Sequence, residues 1–166
     1  MGTTQITAEP GVPKVSITRE LEAPRELVFR AYTEPELLVQ WLGPRRLTME
    51  VKEYDVRHGG AWRYVHREAD GTEYGFRGVF HGTPTPERMV QTFEFEGAPG
   101  HVSLDTATFE ERGGRTMVRL ESVFQSVEDR DAMIASGMES GVNEGFERLD
   151  ELLAGLAEER RTAGRT

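Results

Sequence analysis

SVEDRDAMIASGMESGVNEGFERLDELLAGLAE, residues 126–158, is the stretch on which the fold turns. Ser126 with Asp129 three places on marks a helix start, because the hydroxyl accepts an orphan backbone N–H and the carboxylate favours the positive end of the helix dipole. Ile134, Met138, Val142, Phe146, Leu149, Leu153 and Leu156 then recur at steps of three and four, with Met133 and Leu152 widening the stripe. One helix face is therefore apolar over many turns and requires a surface to lie on. Gly137, Gly141 and Gly145 form a second stripe beside it, although a glycine costs about 0.8–1 kcal/mol against alanine in a helix interior. Either another element approaches that stripe closely, or the helix breaks near Ser136-Gly137 into a short and a long piece; the two are compatible.

Working outward, 166 residues fit one domain with a proper core. The reading divides the chain into a disordered leader over 1–13, a single domain over 14–157 and a frayed tail over 158–166. With no cysteine there is neither a disulfide framework nor a thiolate nucleophile. No run of about 20 apolar residues is present to span a bilayer, and the expected place is the cytoplasm. A net charge of -9 argues against a nucleic-acid partner, since phosphate binding relies on basic patches.

Val15, Ile17, Arg19 and Leu21 alternate with polar residues, the period of a half-buried strand. Pro24 suits a first helical turn, and Leu27, Val28, Ala31 and Tyr32 have helical spacing. A second short helix is expected from Glu36 to Trp41, ended by Gly43-Pro44. From Leu47 to Phe124 six strands follow, separated by turn signals such as Gly59-Gly60, Asp70-Gly71 and Gly113-Gly114. Strand, two short helices, six strands and a long helix predict an α+β fold: a curved antiparallel sheet of about seven strands gripping the C-terminal helix.

Several stretches carry a family resemblance: Ala23-Pro24-Arg25-Glu26-Leu27-Val28-Phe29-Arg30-Ala31, Thr33-Glu34-Pro35-Glu36-Leu37, Trp41-Leu42-Gly43-Pro44, Asp55-Val56-Arg57-His58-Gly59-Gly60-Ala61-Trp62, Gly137-Met138-Glu139-Ser140-Gly141 and Leu149-Asp150-Glu151-Leu152-Leu153. Over roughly Val15 to Leu156 the chain resembles the bacterial proteins named after the activator of the heat-shock protein 90 ATPase. The resemblance implies the START-like, birch-pollen-allergen-like helix-grip fold of the SRPBCC superfamily, whose members commonly hold an apolar ligand between sheet and helix. It also implies a chaperone partner as one alternative and polyketide cyclase or isomerase chemistry as another. Where this chain has Val142 and Leu42, aromatic residues are common in relatives.

The inward positions Trp62, Tyr64, Tyr74, Phe76, Phe80, Phe93, Phe95, Met138, Val142 and Phe146, with Trp41, give an aromatic lining suited to a flat or elongated apolar ligand. The competing reading is a packed core. His66 and Gln91 add polar groups to the expected ligand site, and Arg19, Asp105 and Ser122 fall on or near the same faces. A buried Arg19 demands a carboxylate from the protein or from a ligand. A cluster of His66, Tyr64, Asp105 and Arg19 would suit a carbonyl substrate and proton transfer. His58, His66, His81 and His101 lack the close spacing of a zinc site, so no metal, cofactor or catalytic residue is assigned. The reading favours a small-molecule binding protein with an internal cavity. A protein-interaction module, a homodimer and an enzyme stay open beside it.

Overall fold

The structure, a computed structural model, describes residues 2–164. Its elements are β1 (Gln5–Thr7), β2 (Lys14–Leu21), α1 (Arg25–Thr33), α2 (Pro35–Leu38), β3 (Thr48–Tyr54), β4 (Ala61–Arg67), β5 (Glu73–Val79), β6 (Arg88–Phe95), β7 (Val102–Arg112), β8 (Arg115–Val123), α3 (Val127–Ala135) and α4 (Met138–Ala163). The eight strands form one antiparallel sheet in the order β1-β2-β8-β7-β6-β5-β4-β3. Strands β3 to β8 are a meander, and β2 returns to the sheet beside β8. Together with the long C-terminal helix they make a START-like helix-grip fold.

Two expectations about the chain ends are corrected. Residues 5–7, read as part of a disordered leader, pair with β2 through Gln5↔Thr18, Ile6↔Ile17 and Thr7↔Ser16. The segment has a partner because the β2 edge offers unpaired backbone groups, and Ile6 is partly buried against the core. The sheet therefore has eight strands rather than about seven. At the other end the helix continues through the expected frayed tail to Ala163.

The helix start and the glycine stripe resolve as follows. Ser126 Oγ accepts the Asp129 N–H at 3.0 Å, so α3 begins at the expected cap. The chain then breaks at Gly137, whose φ of 89° is left-handed and suits glycine. Within α4 the close approach is real. A Cβ built on Gly145 would lie 3.4 Å from the Trp41 carbonyl oxygen and 3.5 Å from the Gly43 nitrogen.

Register fixes which side chains share the covered face. Arg19 lies opposite Val118, Leu120 opposite Ala107, Gln91 opposite Asp105, and Tyr64 opposite Phe76. Phe146, Leu149, Leu153 and Leu156 of α4 are buried against this face together with Leu21, Val118 and Phe109. The earlier part of the apolar stripe is not. Met138 and Val142 are only partly buried, and Ile134 is 38% exposed. Coverage therefore changes within α4 itself, past the break: the first turns, with Met138 and Val142, are partly open, and the helix is sealed from Phe146 onward.

Candidate ligand-binding site

The open half of the inner face is tiled with rings. Trp62 stacks on Tyr64 with centroids 5.2 Å apart, and Tyr64 touches Phe76 at 5.3 Å and His66 at 5.2 Å. Phe76 continues to Phe93 at 5.4 Å and Phe95 at 5.3 Å, and Tyr74 joins Phe95 at 6.5 Å. Alternation along β4, β5 and β6 places every one of these residues on one side of the sheet. Gly78 makes room for the widest of them, since a Cβ there would meet Trp62 Nε1 at 2.6 Å. Trp62 and Tyr64 are buried, whereas Phe76 and Phe93 are only partly covered.

Other predicted lining residues are placed differently. Trp41 packs in a separate cluster with Tyr32, 4.8 Å away, and gives its indole N–H to the Ala31 carbonyl at 2.9 Å. Phe80 is fully buried and meets Tyr54 edge-on at 5.5 Å. Phe146 is buried and lies under the Arg19 guanidinium, 5.7 Å from its ring centre. Met138 borders a cleft of about 350 Å³ between β1 and the α3–α4 junction, lined also by Thr4, Ile6, Ala8, Ile134, Glu139 and Asn143.

The four residues considered for acid–base chemistry do not form one centre. Arg19 is answered by Asp150 of α4 and by Thr4 Oγ1, which accepts at 2.8 Å. His66 is at the far end of β4, where its ring fills the space a Gly43 side chain would need. Burial lowers the His66 imidazole to about 4, the Arg148 guanidinium adds to this, and the Leu42 carbonyl opposes it. The neutral ring leaves Nε2 without a hydrogen-bond partner. Arg148 itself donates to the Gly43 carbonyl at 3.1 Å, so it holds the turn beside this ring.

Asp105 is the remaining member, and its setting is polar on one side and aromatic on the other. Gln91 and Ser122 flank it in register on β6 and β8, and Ser103 donates to Oδ1 at 2.9 Å. Burial raises its carboxyl to about 6, against the pull of the Ser103 and Ser122 hydroxyls. Tyr64 is pushed well up, by burial first and then by the charges of Tyr54 and Asp105. Among the described residues no three His, Asp or Glu side chains gather as a metal site requires. Among the described residues no helix is long and apolar enough to cross a membrane.

An open antiparallel sheet gripping one long helix, with an aromatic inner face, defines a START-like domain of the SRPBCC type. The chain belongs to the family described as Activator of Hsp90 ATPase homolog 1-like protein, whose model matches residues 22–154. Solved structures agree on the fold. A crystal structure from Rhodobacter sphaeroides is similar at TM-score 0.84 and 27% identity, covering 92% of this chain and 99% of that one. A solution structure from Arthrobacter aurescens matches at TM-score 0.83 and 25% identity over 91% of both chains. A Mycobacterium smegmatis protein matches at TM-score 0.82 and 23% identity over 92% of this chain and 97% of its own. A comparison with curated proteins gives no match.

Ser103, and Ile6 of β1 with its flanking residues Thr4 and Ala8, escaped the sequence reading. Ser103 carries a pattern signal, being two places from Asp105 on one strand face. The β1 residues carry almost none, since three residues between turns have no measurable period.

Proposed function

We propose that this protein binds a small apolar or aromatic molecule between the inner face of the sheet and the N-terminal half of α4. The observation that carries this reading is the continuous ring surface of Trp62, Tyr64, Phe76, Phe93 and Phe95, of which Phe76, Phe93 and Phe95 stay only partly buried. Aromatic rings left incompletely buried on a concave face forgo hydrophobic stabilisation of about 25 cal/mol per Å² of exposed apolar area. A flat ligand restores it.

Native mass spectrometry of protein purified from its own source, followed by denaturation and extraction, tests the reading. A bound species of defined mass, and a rise in melting temperature when it is added back, is the expected result. A protein that is empty from its source and is not stabilised by any member of a broad panel of lipids and aromatic metabolites overturns it. Activation of an Hsp90-type ATPase rests on the family description, and an ATPase assay with the host's own chaperone examines it directly.

A further inference from the structure

We propose, building on the ligand-binding reading above, that the ligand is an organic cation: an amine on an aromatic or apolar body, its nitrogen on Asp105 and its body on the partly exposed rings of Phe76, Phe93 and Phe95. Asp105 is the inner-face carboxylate whose charge the protein leaves unanswered. Its hydrogen bonding comes from two hydroxyls, Ser103 and Ser122, and no cation figures among the groups that act on it. Burying a carboxylate is unfavourable unless a positive partner accompanies it. Elsewhere the interior obeys this rule, since buried Arg19 is met by Asp150. Arginine is abundant in the chain, yet on the outer face it is matched with glutamate, as in Arg63 with Glu96 at 2.7 Å.

The surroundings discriminate by charge. An anion would be repelled by Asp105, and a neutral molecule would take water from the carboxylate without replacing its hydration. A protonated amine supplies the missing charge and a charge-assisted hydrogen bond, and ring faces attract cations through their quadrupoles. Asp105 lies opposite Gln91 on β6, and Phe93 is two residues further along the same face of that strand, so the carboxylate and the ring array share one face of the sheet. Gln91, across the strand pair from Asp105, offers an amide to the same ligand end. The overall charge of -9 favours the approach of cations as well.

The test separates this proposal from the reading beneath it. The neutral dye N-phenyl-1-naphthylamine reports occupancy of the apolar space, and three indoles of similar size compete with it: tryptamine, 3-methylindole and indole-3-propionate. We expect tryptamine to displace the dye at roughly a tenfold lower concentration than either other compound, as a charge-assisted hydrogen bond implies. In Asp105→Asn that advantage disappears while the neutral dye still binds, no more weakly than to the wild type, and an unchanged far-UV circular dichroism spectrum shows that the variant is folded. Equal competition by tryptamine and 3-methylindole in the wild type overturns the cation proposal and leaves the binding site standing. An advantage that survives Asp105→Asn overturns the seat assigned to the nitrogen. A dye that never binds overturns both.

Discussion

Arg19 on the inner face of β2 and Asp150 on α4 form the ion pair that ties the long helix to the sheet. Only 6% of the Arg19 side chain is exposed, whereas Asp150 keeps 20% in contact with solvent. The arginine is therefore the partner that cannot be left alone. Asp150→Ala is expected to lower stability by about 3 kcal/mol, the lower end for breaking a buried pair, because a buried charge remains behind. Arg19→Met combined with Asp150→Leu is expected to recover most of that loss. Urea unfolding of Asp150→Ala and of the double variant measures both, and a double variant no better than Asp150→Ala would remove the ion-pair account.

The glycines of the C-terminal helices divide by conformation. Gly155 has nothing within 4 Å of an added Cβ, so Gly155→Ala should stabilise by about 0.8–1 kcal/mol through helix propensity. Gly137 also has open space around it but holds φ at 89°, so Gly137→Ala should destabilise by about 1–2 kcal/mol. Thermal melts of the two variants should move in opposite directions.

Asp105 and His66 oppose each other on acidification. The carboxyl, raised from 3.8 to about 6 by burial, makes the native state bind a proton before the unfolded state does, so its term favours folding as pH falls from 6 toward 3.8. The imidazole, lowered from 6.5 to about 4 by burial and Arg148, makes the unfolded state bind the proton first, so its term disfavours folding over nearly the same window. Each term is worth about 3 kcal/mol at its full extent. Unfolding free energy measured from pH 6.5 to 4.5 should vary little in the wild type. It should fall steadily in Asp105→Asn, where His66 acts alone, and rise in His66→Gln.

At pH 7.5 the same carboxyl is ionised and unpaired, so Asp105→Asn should be more stable than the wild type by about 1–3 kcal/mol in ligand-free protein. Chemical denaturation at that pH checks it.

Phe76 touches four rings, those of Tyr64, His66, Phe93 and Phe95. Phe76→Leu keeps most of the volume and removes the ring pairs, each worth about 0.5–1.5 kcal/mol beyond its area. Because these pairs share one ring and do not add in full, a stability loss of about 2–4 kcal/mol, below their sum of about 2–6 kcal/mol, is expected. Binding of N-phenyl-1-naphthylamine should weaken in parallel, as fluorescence titration would record.

Periodicity made most of the fold legible. The alternation in β2 and in β4 to β8, the Ser126 cap and the glycine turns were each local signals that tertiary packing left in place. The aromatic array was legible for the same reason, since Trp62, Tyr64 and His66, or Tyr74 and Phe76, share a face by counting in twos. What counting cannot give is the distance between faces. Trp41 belongs to the expected aromatic set by type but is drawn into the α1–α2 packing by Tyr32 and the Ala31 carbonyl. Arg19 and Asp150 are 131 positions apart, and no spacing rule joins them. The same is true of Asp105, whose isolation from arginine is visible only when the sheet is assembled.

The three residues of β1 hold a consequence for how the molecule behaves in a crowd. They occupy part of the free edge of β2, an eight-residue strand that would otherwise display a regular row of donors and acceptors. Such a row is a template on which another chain extends a sheet, and a short terminal strand blunts it. Arg130, nearly sealed in α3, clamps the turn behind β1 by donating to the carbonyls of Glu9 at 2.9 Å and Lys14 at 3.1 Å. A handful of residues near the start of the chain thereby shields the β2 side of the sheet from strand-on-strand polymerisation, and a single arginine keeps the shield in place.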